Sequence, residues 1–217
     1  MILETADQRT ADWYAARIGK ATASRFKDAI ATKKQTEKQK KDNVPGDPMQ
    51  AQLDYLTELV VERLTQQPVQ RYATAAMQWG TEQEPAARAA YERVTGTSVE
   101  ETGFVAHDTL LAGCSPDGLV DWDGLIEIKC PNSNTHVDYL LAKEVPTKYK
   151  PQMLTQMLVT GRTWCDFVSF DPRLPEHLQL FVVRYEPKPE ELTKIEADLV
   201  AFLNEVNQME LSLCQKN

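Results

Sequence analysis

Two carboxylates and a lysine lie close together in the middle of this 217-residue chain. Asp117 follows a Ser-Pro pair, and Glu127 and Lys129 lie in the apolar run that comes after Asp123-Gly124. An Asp-Gly pair between two apolar runs is the strongest short-range signal for a β-hairpin. The hairpin is expected to bring Asp117, near the start of its first strand, back beside Glu127 and Lys129.

This constellation suits the hydrolysis of a phosphodiester. Alternate side chains of a strand point to opposite faces, so Glu127 and Lys129 share one face with Leu125. Convergent carboxylates repel each other, and a hard divalent cation relieves that repulsion by binding to their oxygens. Such a cation polarises a phosphoryl oxygen and activates a bound water, which a neighbouring lysine can orient or deprotonate. A solvated edge hairpin could carry the same three charges, and the short pattern leaves that alternative open.

The rest of the chain predicts a mixed α/β domain that positions this hairpin. Apolar spacing predicts helices over residues 12–18, 22–31, 49–65, 74–95, 146–160 and about 188–213. Asp12 and Thr22 are expected to cap the first two helices, and Gly96 is expected to end the fourth. Short apolar runs predict strands over residues 98–105, 119–122, 125–130, 164–170 and 178–185. This order of elements predicts a substantially antiparallel sheet.

Length and composition predict a single soluble globular domain over residues 1–217. The formal charge of −8 and the pI of about 5.0 at first argue against a nucleic-acid partner. Residues 1–50, however, carry 10 basic and 7 acidic side chains. Within them a lysine-rich segment, at about residues 32–48, is expected to be an exposed, mobile loop because it has little apolar content and several lysines. A local basic surface is therefore compatible with the acidic total.

Neither a membrane span nor a secretory signal is expected. The longest apolar runs are far shorter than the roughly 20 residues that a membrane helix needs, and the first residues lack a basic segment followed by an apolar one. The four cysteines include no CxxC pair and the three histidines are far apart, so we expect no zinc site. Unpaired thiols predict a reducing cytoplasm.

Ordered motifs connect the hairpin to other parts of the chain. They are Trp13-x3-Arg17-x-Gly19-x2-Thr-Ala-Ser24, Trp79-Gly80-x3-Glu84, Cys114-Ser-Pro-Asp-Gly118, Glu127-Ile-Lys-Cys-Pro131, Tyr149-x2-Gln152 and Phe170-Asp-Pro-Arg173. Together they resemble the phage lambda exonuclease family, the YqaJ-like viral recombinases, within the restriction-endonuclease-like PD-(D/E)xK nuclease superfamily. The resemblance runs from about residue 13 to residue 173. The lysine-rich segment has no clear counterpart in it, and the residues after 173 match loosely.

This resemblance implies a restriction-endonuclease-like core, with a central mixed, largely antiparallel sheet flanked by helices. It implies a 5′→3′ exonuclease that acts on double-stranded DNA ends, uses two Mg²⁺ ions (with Mn²⁺ a plausible substitute) and leaves 3′ overhangs. It further implies a homotrimeric ring, a single-strand annealing protein as partner, and a phage or prophage product in the cytoplasm of a bacterial host.

The resemblance also implies roles for individual residues. The metal ligands would be Asp117, Glu127, the backbone carbonyl of Ile128 and Glu84, with Lys129 and Gln152 beside the reaction centre. The 5′-terminal phosphate would be bound by Arg17, Ser24 and Ser115, and the DNA would be contacted by Met77, as a wedge between the strands, and by Tyr149. Without the resemblance, a surface charge, a helix cap or core packing accounts for several of these residues equally well.

Two other functions remain open from the sequence. An endonuclease of the same superfamily would use the same metal motif. A non-catalytic protein that binds DNA ends would keep the fold alone, although the presence of Glu84, Asp117, Glu127 and Lys129 together argues against it.

Overall fold

A computed structural model describes residues 2–4, 7–42, 44–69 and 72–215 of the chain. Its α-helices are α1 (Ala11–Arg17), α2 (Phe26–Ala29), α3 (Glu37–Lys41), α4 (Gln50–Thr65), α5 (Ala75–Thr95), α6 (Ser133–Ala142), α7 (Lys150–Thr160) and α8 (Pro189–Cys214). Its strands are β1 (Ile2–Glu4), β2 (Ala21–Thr22), β3 (Val99–Glu100), β4 (Phe104–Ala106), β5 (Ala112–Cys114), β6 (Gly118–Val120), β7 (Gly124–Lys129), β8 (Trp164–Phe170) and β9 (Leu180–Tyr185). The predicted mixed α/β class is confirmed.

The strands form two sheets. The smaller sheet has the order β1-β4-β5-β2, and the larger one has the order β3-β6-β7-β8-β9. In the larger sheet β7 pairs in parallel with β8, while the other neighbouring pairs are antiparallel. The parallel pair of β7 and β8 therefore lies inside a mixed, largely antiparallel sheet, and β7 carries Glu127 and Lys129.

The two faces of β7 contribute to different cores. Leu125 lies in the larger core with residues of α4, α7 and α8, whereas Ile126 and Ile128 pack in a second core against α5. This alternation follows from the two-residue period of a strand, and it confirms the predicted division of the β7 side chains. Glu127 and Lys129 are thereby directed toward α7, on the same face as Leu125.

The predicted hairpin forms, but its turn is longer than the Asp-Gly signal indicated. Val120 pairs directly with Gly124, so residues 121–123 form the loop, and Asp121 adopts the left-handed conformation with φ of 48°. Gly124 lies inside β7, where a Cβ atom would be only 2.0 Å from the Trp164 ring. The glycine is required because an aromatic ring packs on the strand, rather than because the turn needs its flexibility.

The long helices agree with the sequence predictions. Helices α4, α5 and α8 occupy the segments predicted at 49–65, 74–95 and 188–213. Thr74 caps α5, and Gly96 ends it in the left-handed conformation with φ of 72°. The helix predicted over residues 146–160 begins at Lys150, and Pro151 lies in its first turn, where the missing N–H costs no helical hydrogen bond.

Short elements were predicted less well. Thr10, rather than Asp12, caps α1 by accepting a hydrogen bond from the Trp13 amide. The helix predicted over 22–31 is replaced by β2, a 3₁₀ turn and the four-residue α2, so Thr22 provides no side-chain cap. The strand predicted over 98–105 divides into β3 and β4, and helix α6 was not predicted at all. Each of these elements is too short for its apolar pattern to distinguish helix from strand.

The lysine-rich segment contains more structure than a loop. Its centre forms α3, which begins at a capping box made by Thr36 and Gln39. A β-bridge between Thr32 and Pro48 closes the base of the segment. The prediction of an irregular loop is therefore wrong for residues 37–41, while the lysines themselves are exposed as expected. Among the described residues, no helix is long and apolar enough to span a membrane.

Candidate active site

The β6–β7 hairpin brings Asp117 to the second strand as predicted. Asp117 immediately precedes β6, and its Oδ2 atom accepts a hydrogen bond of 2.7 Å from the backbone N–H of Ile128. Arg88 of α5 donates a 3.3 Å hydrogen bond to the Asp117 carbonyl. Asp117 is thus held through its carboxylate by the end of β7 and through its backbone carbonyl by α5, the helix that covers the opposite face of the sheet.

Glu127 is a completely buried carboxylate between a lysine and a glutamine. Its Oε2 atom accepts a 2.7 Å hydrogen bond from Gln156 Nε2, and its Oε1 atom forms an ion pair with Lys129 Nζ. Lys129 also lies above the Tyr149 ring, with Nζ 5.4 Å from the ring centroid. The lysine is therefore held in one place by a carboxylate and an aromatic face.

The charges of this cluster perturb one another. Burial, followed by the charge of Glu127, raises the pKa of Asp117 to about 8. Burial alone would lower the pKa of Lys129, but the negative charges of Glu127 and Asp117 outweigh it and raise that pKa above its ordinary value. Two carboxylates and one ammonium leave the cluster with an excess negative charge when all three groups are ionised.

This donor set fits a hard divalent cation. Glu127, which is buried, and Asp117, which is half-buried, supply carboxylate oxygens, which are the ligands that Mg²⁺ and Mn²⁺ accept. The side-chain oxygen of Gln156 is also buried beside Glu127, without a hydrogen-bond partner in the described part of the chain. A cation here would offset the excess negative charge and satisfy these oxygens.

Glu84 is paired with an arginine and is not part of this donor set. Its Oε2 atom accepts a 2.7 Å hydrogen bond from Arg9 Nη2. Within the described residues, no three side chains of His, Cys, Asp or Glu converge closely enough to form a metal site. Glu84 is nevertheless near enough for its charge to contribute to the raised pKa of Asp117. The structure therefore brings together two of the three predicted carboxylates.

A cavity of about 190 Å³ joins the carboxylates to the residues predicted to bind a terminal phosphate. It is lined by Asp117, Glu127, Lys129 and Gln152 together with Arg17, Ser24 and Ser115, and also by Gln8, Arg9, Trp13, Thr22, Ala23, Cys114 and Gln156. Residues that are far apart in sequence, from both sheets and from α1 and α7, thus line one space.

Arg17 is held by an aromatic side chain. Its guanidinium carbon lies 4.0 Å from the Trp13 ring centroid, and burial lowers the pKa of Arg17 from its ordinary value. Trp13 in turn donates a 2.8 Å hydrogen bond from Nε1 to Ser115 Oγ. Trp13 therefore positions both Arg17 and Ser115, and Ser24 is exposed at the same cavity.

A larger groove of about 1090 Å³ shares several of these residues. Met77 lines it with 59% of its surface exposed, so the alternative that Met77 packs in the core is wrong. Tyr149 and Gln152 line it as well, and the Tyr149 ring stacks on Phe167 at a centroid distance of 5.3 Å. The groove leads past Lys129, which lines both cavities.

Three side chains of the site were not predicted from the sequence. Gln156 follows Gln152 by one helical turn, so the i,i+4 spacing was a signal that both face the strand. Arg9 lies in a turn before α1, and Arg88 lies one turn after Glu84 in α5. Neither arginine could be assigned from sequence because its position depends on how distant elements pack.

A mixed α/β core that presents a buried glutamate, a half-buried aspartate and a lysine on one hairpin fits a nuclease of the restriction-endonuclease-like class. The chain belongs to the YqaJ-like viral recombinase family, because the model of the YqaJ-like viral recombinase domain matches residues 12–163.

Solved structures agree with this assignment. The crystal structure of LHK-Exo in complex with dAMP is 42% identical in sequence, with a TM-score of 0.83, and the match covers 95% of this chain and 97% of that one. The structure of the alkaline exonuclease LHK-Exo from Laribacter hongkongensis matches with the same identity and coverage and a TM-score of 0.82. A phage related exonuclease from Haemophilus somnus 129PT, 17% identical with a TM-score of 0.69 over 89% of this chain and 96% of that one, shares the fold. None of the curated proteins matches the chain.

Proposed function

We propose that this nuclease is a metal-dependent 5′→3′ exonuclease that digests linear double-stranded DNA from 5′-phosphorylated ends. The product of each step is a 5′-mononucleotide, and the digestion leaves 3′ single-stranded overhangs. The similarity to alkaline exonuclease LHK-Exo, and the structure of that protein with dAMP, support this reaction.

One observation carries the proposal. The cavity of about 190 Å³ is lined by the Asp117–Glu127–Lys129 cluster and also by Arg17, which is available for a phosphate. A guanidinium and hydroxyl groups suit the oxygens of a phosphate monoester. Because one side of the cavity binds an anion and the other carries the carboxylates, the cavity can distinguish the phosphorylated end of a DNA strand from its interior.

The residues on the anion-binding side determine which bond is cut. Arg17, Ser24 and Ser115 bind the terminal 5′-phosphate, and Trp13 keeps Arg17 and Ser115 in place. With the terminal phosphate fixed, the first internal phosphodiester lies at Asp117 and Glu127. Fixing the reacting group in this way converts binding energy into correct positioning.

The residues on the carboxylate side carry out the hydrolysis. Asp117, Glu127, the Ile128 carbonyl and Glu84 would hold two Mg²⁺ ions. Bound Mg²⁺ supplies Lewis-acid stabilisation of the phosphoryl oxygens and activation of a water. Lys129 orients that water from its position beside Glu127, and the Gln152 amide binds the reacting phosphate from α7. Mn²⁺ prefers the same oxygen ligands and is expected to substitute.

The larger groove receives the duplex. Met77, exposed at its wall, separates the two strands, and Tyr149 contacts the strand that is cut. We further propose that three copies form a ring around the DNA, and that a single-strand annealing protein receives the 3′ overhang. A bacterial cytoplasm that holds a phage or prophage is the compartment in which this reaction would serve recombination.

The test uses linear and circular DNA of matched length. The protein is incubated with Mg²⁺ and either 5′-phosphorylated linear duplex or closed circular plasmid, and mononucleotides and nicked circles are quantified. We expect mononucleotides from the linear DNA only. Nicking of the circle would instead favour an endonuclease, and binding of ends without cleavage would favour a non-catalytic end-binding protein.

A further inference from the structure

An arginine without a role in the mechanism above lines the catalytic cavity. Arg9 borders the cavity of about 190 Å³ together with Asp117, Glu127 and Lys129. Its Nη2 atom donates a 2.7 Å hydrogen bond to Glu84 Oε2, and 45% of the Arg9 side chain and 22% of the Glu84 side chain are exposed. The Arg9 guanidinium is therefore paired with Glu84, a carboxylate that is not part of the donor set formed by Asp117 and Glu127.

The backbone at Arg9 is unusual. Arg9 has a φ of 72°, in the left-handed region that residues other than glycine rarely adopt. The hydroxyl of Thr10 donates a 2.7 Å hydrogen bond to the Asp7 carbonyl and tightens the same turn. Strained conformations of this kind persist where neighbouring structure enforces them, and they are concentrated at functional sites.

Neighbouring structure does hold this turn against the active site. The Gln8 side chain donates from Nε2 to the carbonyls of Thr102 and Pro116, each at 3.0 Å. Pro116 immediately precedes Asp117. The turn that presents Arg9 is thus bonded to the segment that carries a proposed metal ligand, so Arg9 has a defined position relative to the reaction centre.

The other cationic side chains of the cavity already have partners. Among the described residues, Arg9, Arg17 and Lys129 are the cations that line it. Lys129 pairs with buried Glu127, and Arg17 lies over Trp13 at the terminal-phosphate side. Arg9 is therefore the cation that remains for a second phosphate. Its present pair with Glu84 is partly exposed, and such pairs contribute little to stability, so they exchange partners at low cost.

We propose that Arg9 changes partner when DNA binds: its guanidinium leaves Glu84 for a non-bridging oxygen of the scissile phosphate, and Glu84 becomes free to join the divalent cation. This inference rests on the proposed function and adds to it a substrate-binding residue and the resting partner of Glu84. The exchange keeps every charge paired, because the incoming phosphate replaces one anion beside Arg9 and the cation compensates the other.

The first test is a double-mutant cycle that combines substitution of Arg9 with removal of the charge on the first internal phosphate of the DNA. Affinity for 5′-phosphorylated duplex is measured by fluorescence anisotropy with Ca²⁺ in place of Mg²⁺, to prevent turnover. The duplex carries either an ordinary phosphate or an uncharged methylphosphonate at the first internal bond. We expect the methylphosphonate to weaken binding by the wild-type protein about tenfold more than binding by Arg9→Gln, because a hydrogen bond between charged groups is lost only in the wild type. Arg93→Gln, in the last turn of α5, is the matched control and should keep the full penalty.

The second test measures the cation without DNA or catalysis. Isothermal titration with Mn²⁺ should show severalfold tighter binding to Arg9→Gln than to the wild type, because Glu84 no longer has a competing partner. Arg9→Gly is the second variant, since glycine accepts the left-handed backbone without strain. We expect it to match Arg9→Gln in both assays with an unchanged or higher Tm.

The outcomes separate the two proposals. An equal methylphosphonate penalty in wild type and both Arg9 variants, or unchanged Mn²⁺ affinity, would overturn the exchange and leave Arg9 as a structural ion-pair residue. Failure of the wild-type protein to cut linear duplex with Mg²⁺ would overturn the proposed exonuclease itself. Cleavage by the wild type together with an unchanged penalty would reject the role of Arg9 only.

Discussion

The larger sheet contains a buried carboxylate on each of its faces. The two carboxylates differ in how completely neighbouring positive charges and hydrogen-bond donors balance them. Asp166 of β8 faces α5, where it accepts hydrogen bonds from Arg184 at 2.9 and 3.1 Å and from the Tyr91 hydroxyl at 2.8 Å. Arg184 is directly opposite Asp166 on β9 and stacks on Trp164 at 3.5 Å. Both oxygens have donors, and the acid and the base are equal in number.

The opposite face carries the cluster of Glu127, Asp117 and Lys129. It contains two acids and one base, and the pKa of Asp117 is raised by burial and by Glu127. Buried polar groups are normally fully satisfied, and those that are not mark a ligand or a functional strain. A buried carboxylate in this sheet is therefore structural where its charge is balanced, and belongs to the candidate active site where it is not.

The largest effect is expected from removing the base on the active-site face. Lys129→Ala should reduce mononucleotide release from 5′-phosphorylated duplex by about 10³-fold or more, because the attacking water loses its positioning group. Folding, measured by circular dichroism, and DNA binding should be largely retained, since Glu127 keeps its hydrogen bond from Gln156. Lys143→Ala, on an exposed residue, is the control. Unaltered turnover would show that Lys129 is not the catalytic lysine.

On the face that carries Asp166, where the charges are balanced, a substitution should reduce stability and leave activity unchanged. Asp166→Asn removes the acceptor charge for Arg184 and should lower the free energy of unfolding, measured in urea, by about 2–3 kcal/mol. Cleavage per folded molecule should stay near the wild-type rate, because Asp166 faces away from the cavity. Asp138→Asn, on an exposed face of α6, should change stability by less than about 0.5 kcal/mol. A large loss of activity with unchanged stability would contradict the division between the two faces.

The uncompensated cluster also predicts how stability depends on pH. Because the folded pKa of Asp117 is raised from 3.8 to about 8, the folded protein binds more protons than the unfolded chain between these values. Stability of the metal-free protein should therefore be greatest at the acidic end of that window and decline as pH rises toward 8, by roughly 1–2 kcal/mol.

Thermal unfolding at several pH values, with and without Mg²⁺, measures this effect. The ion should stabilise the protein more at pH 8 than at pH 5, since it binds the ionised carboxylates. Asp117→Asn should weaken both the pH dependence and the Mg²⁺ effect. Equal stabilisation at both pH values would mean that the cluster is not the cation site.

The smallest expected effect concerns the recognition of the 5′ end of the DNA by the anion-binding side of the cavity. Arg17→Ala should reduce the preference for 5′-phosphate over 5′-hydroxyl ends about tenfold, because one charge-assisted contact is lost. Competition between the two duplexes in one reaction measures the ratio directly. Arg93→Ala should leave that ratio unchanged, and an unchanged ratio in Arg17→Ala would remove Arg17 from the phosphate pocket.

Long periodic segments were predictable because their signals are local. Helices α4, α5 and α8 repeat apolar residues over several turns, and the ends of α5 are marked by Thr74 and Gly96. The hairpin that carries Glu127 and Lys129 was predictable for the same reason, since two apolar runs flank a turn. Short elements such as α2 and α6 contain too few residues for a period to be recognised.

The sequence by itself determined the hairpin, the face shared by Glu127 and Lys129, and the family to which the chain belongs, because these follow from alternation and ordered motifs within continuous segments. Only the tertiary structure decided that Glu84 pairs with Arg9, that Gln156 binds Glu127, and that Asp166 is balanced by Arg184. Each of these contacts joins residues that are distant in sequence. Whether a carboxylate is balanced by a neighbouring group depends on which side chains the packed sheets and helices bring within a few ångströms of it.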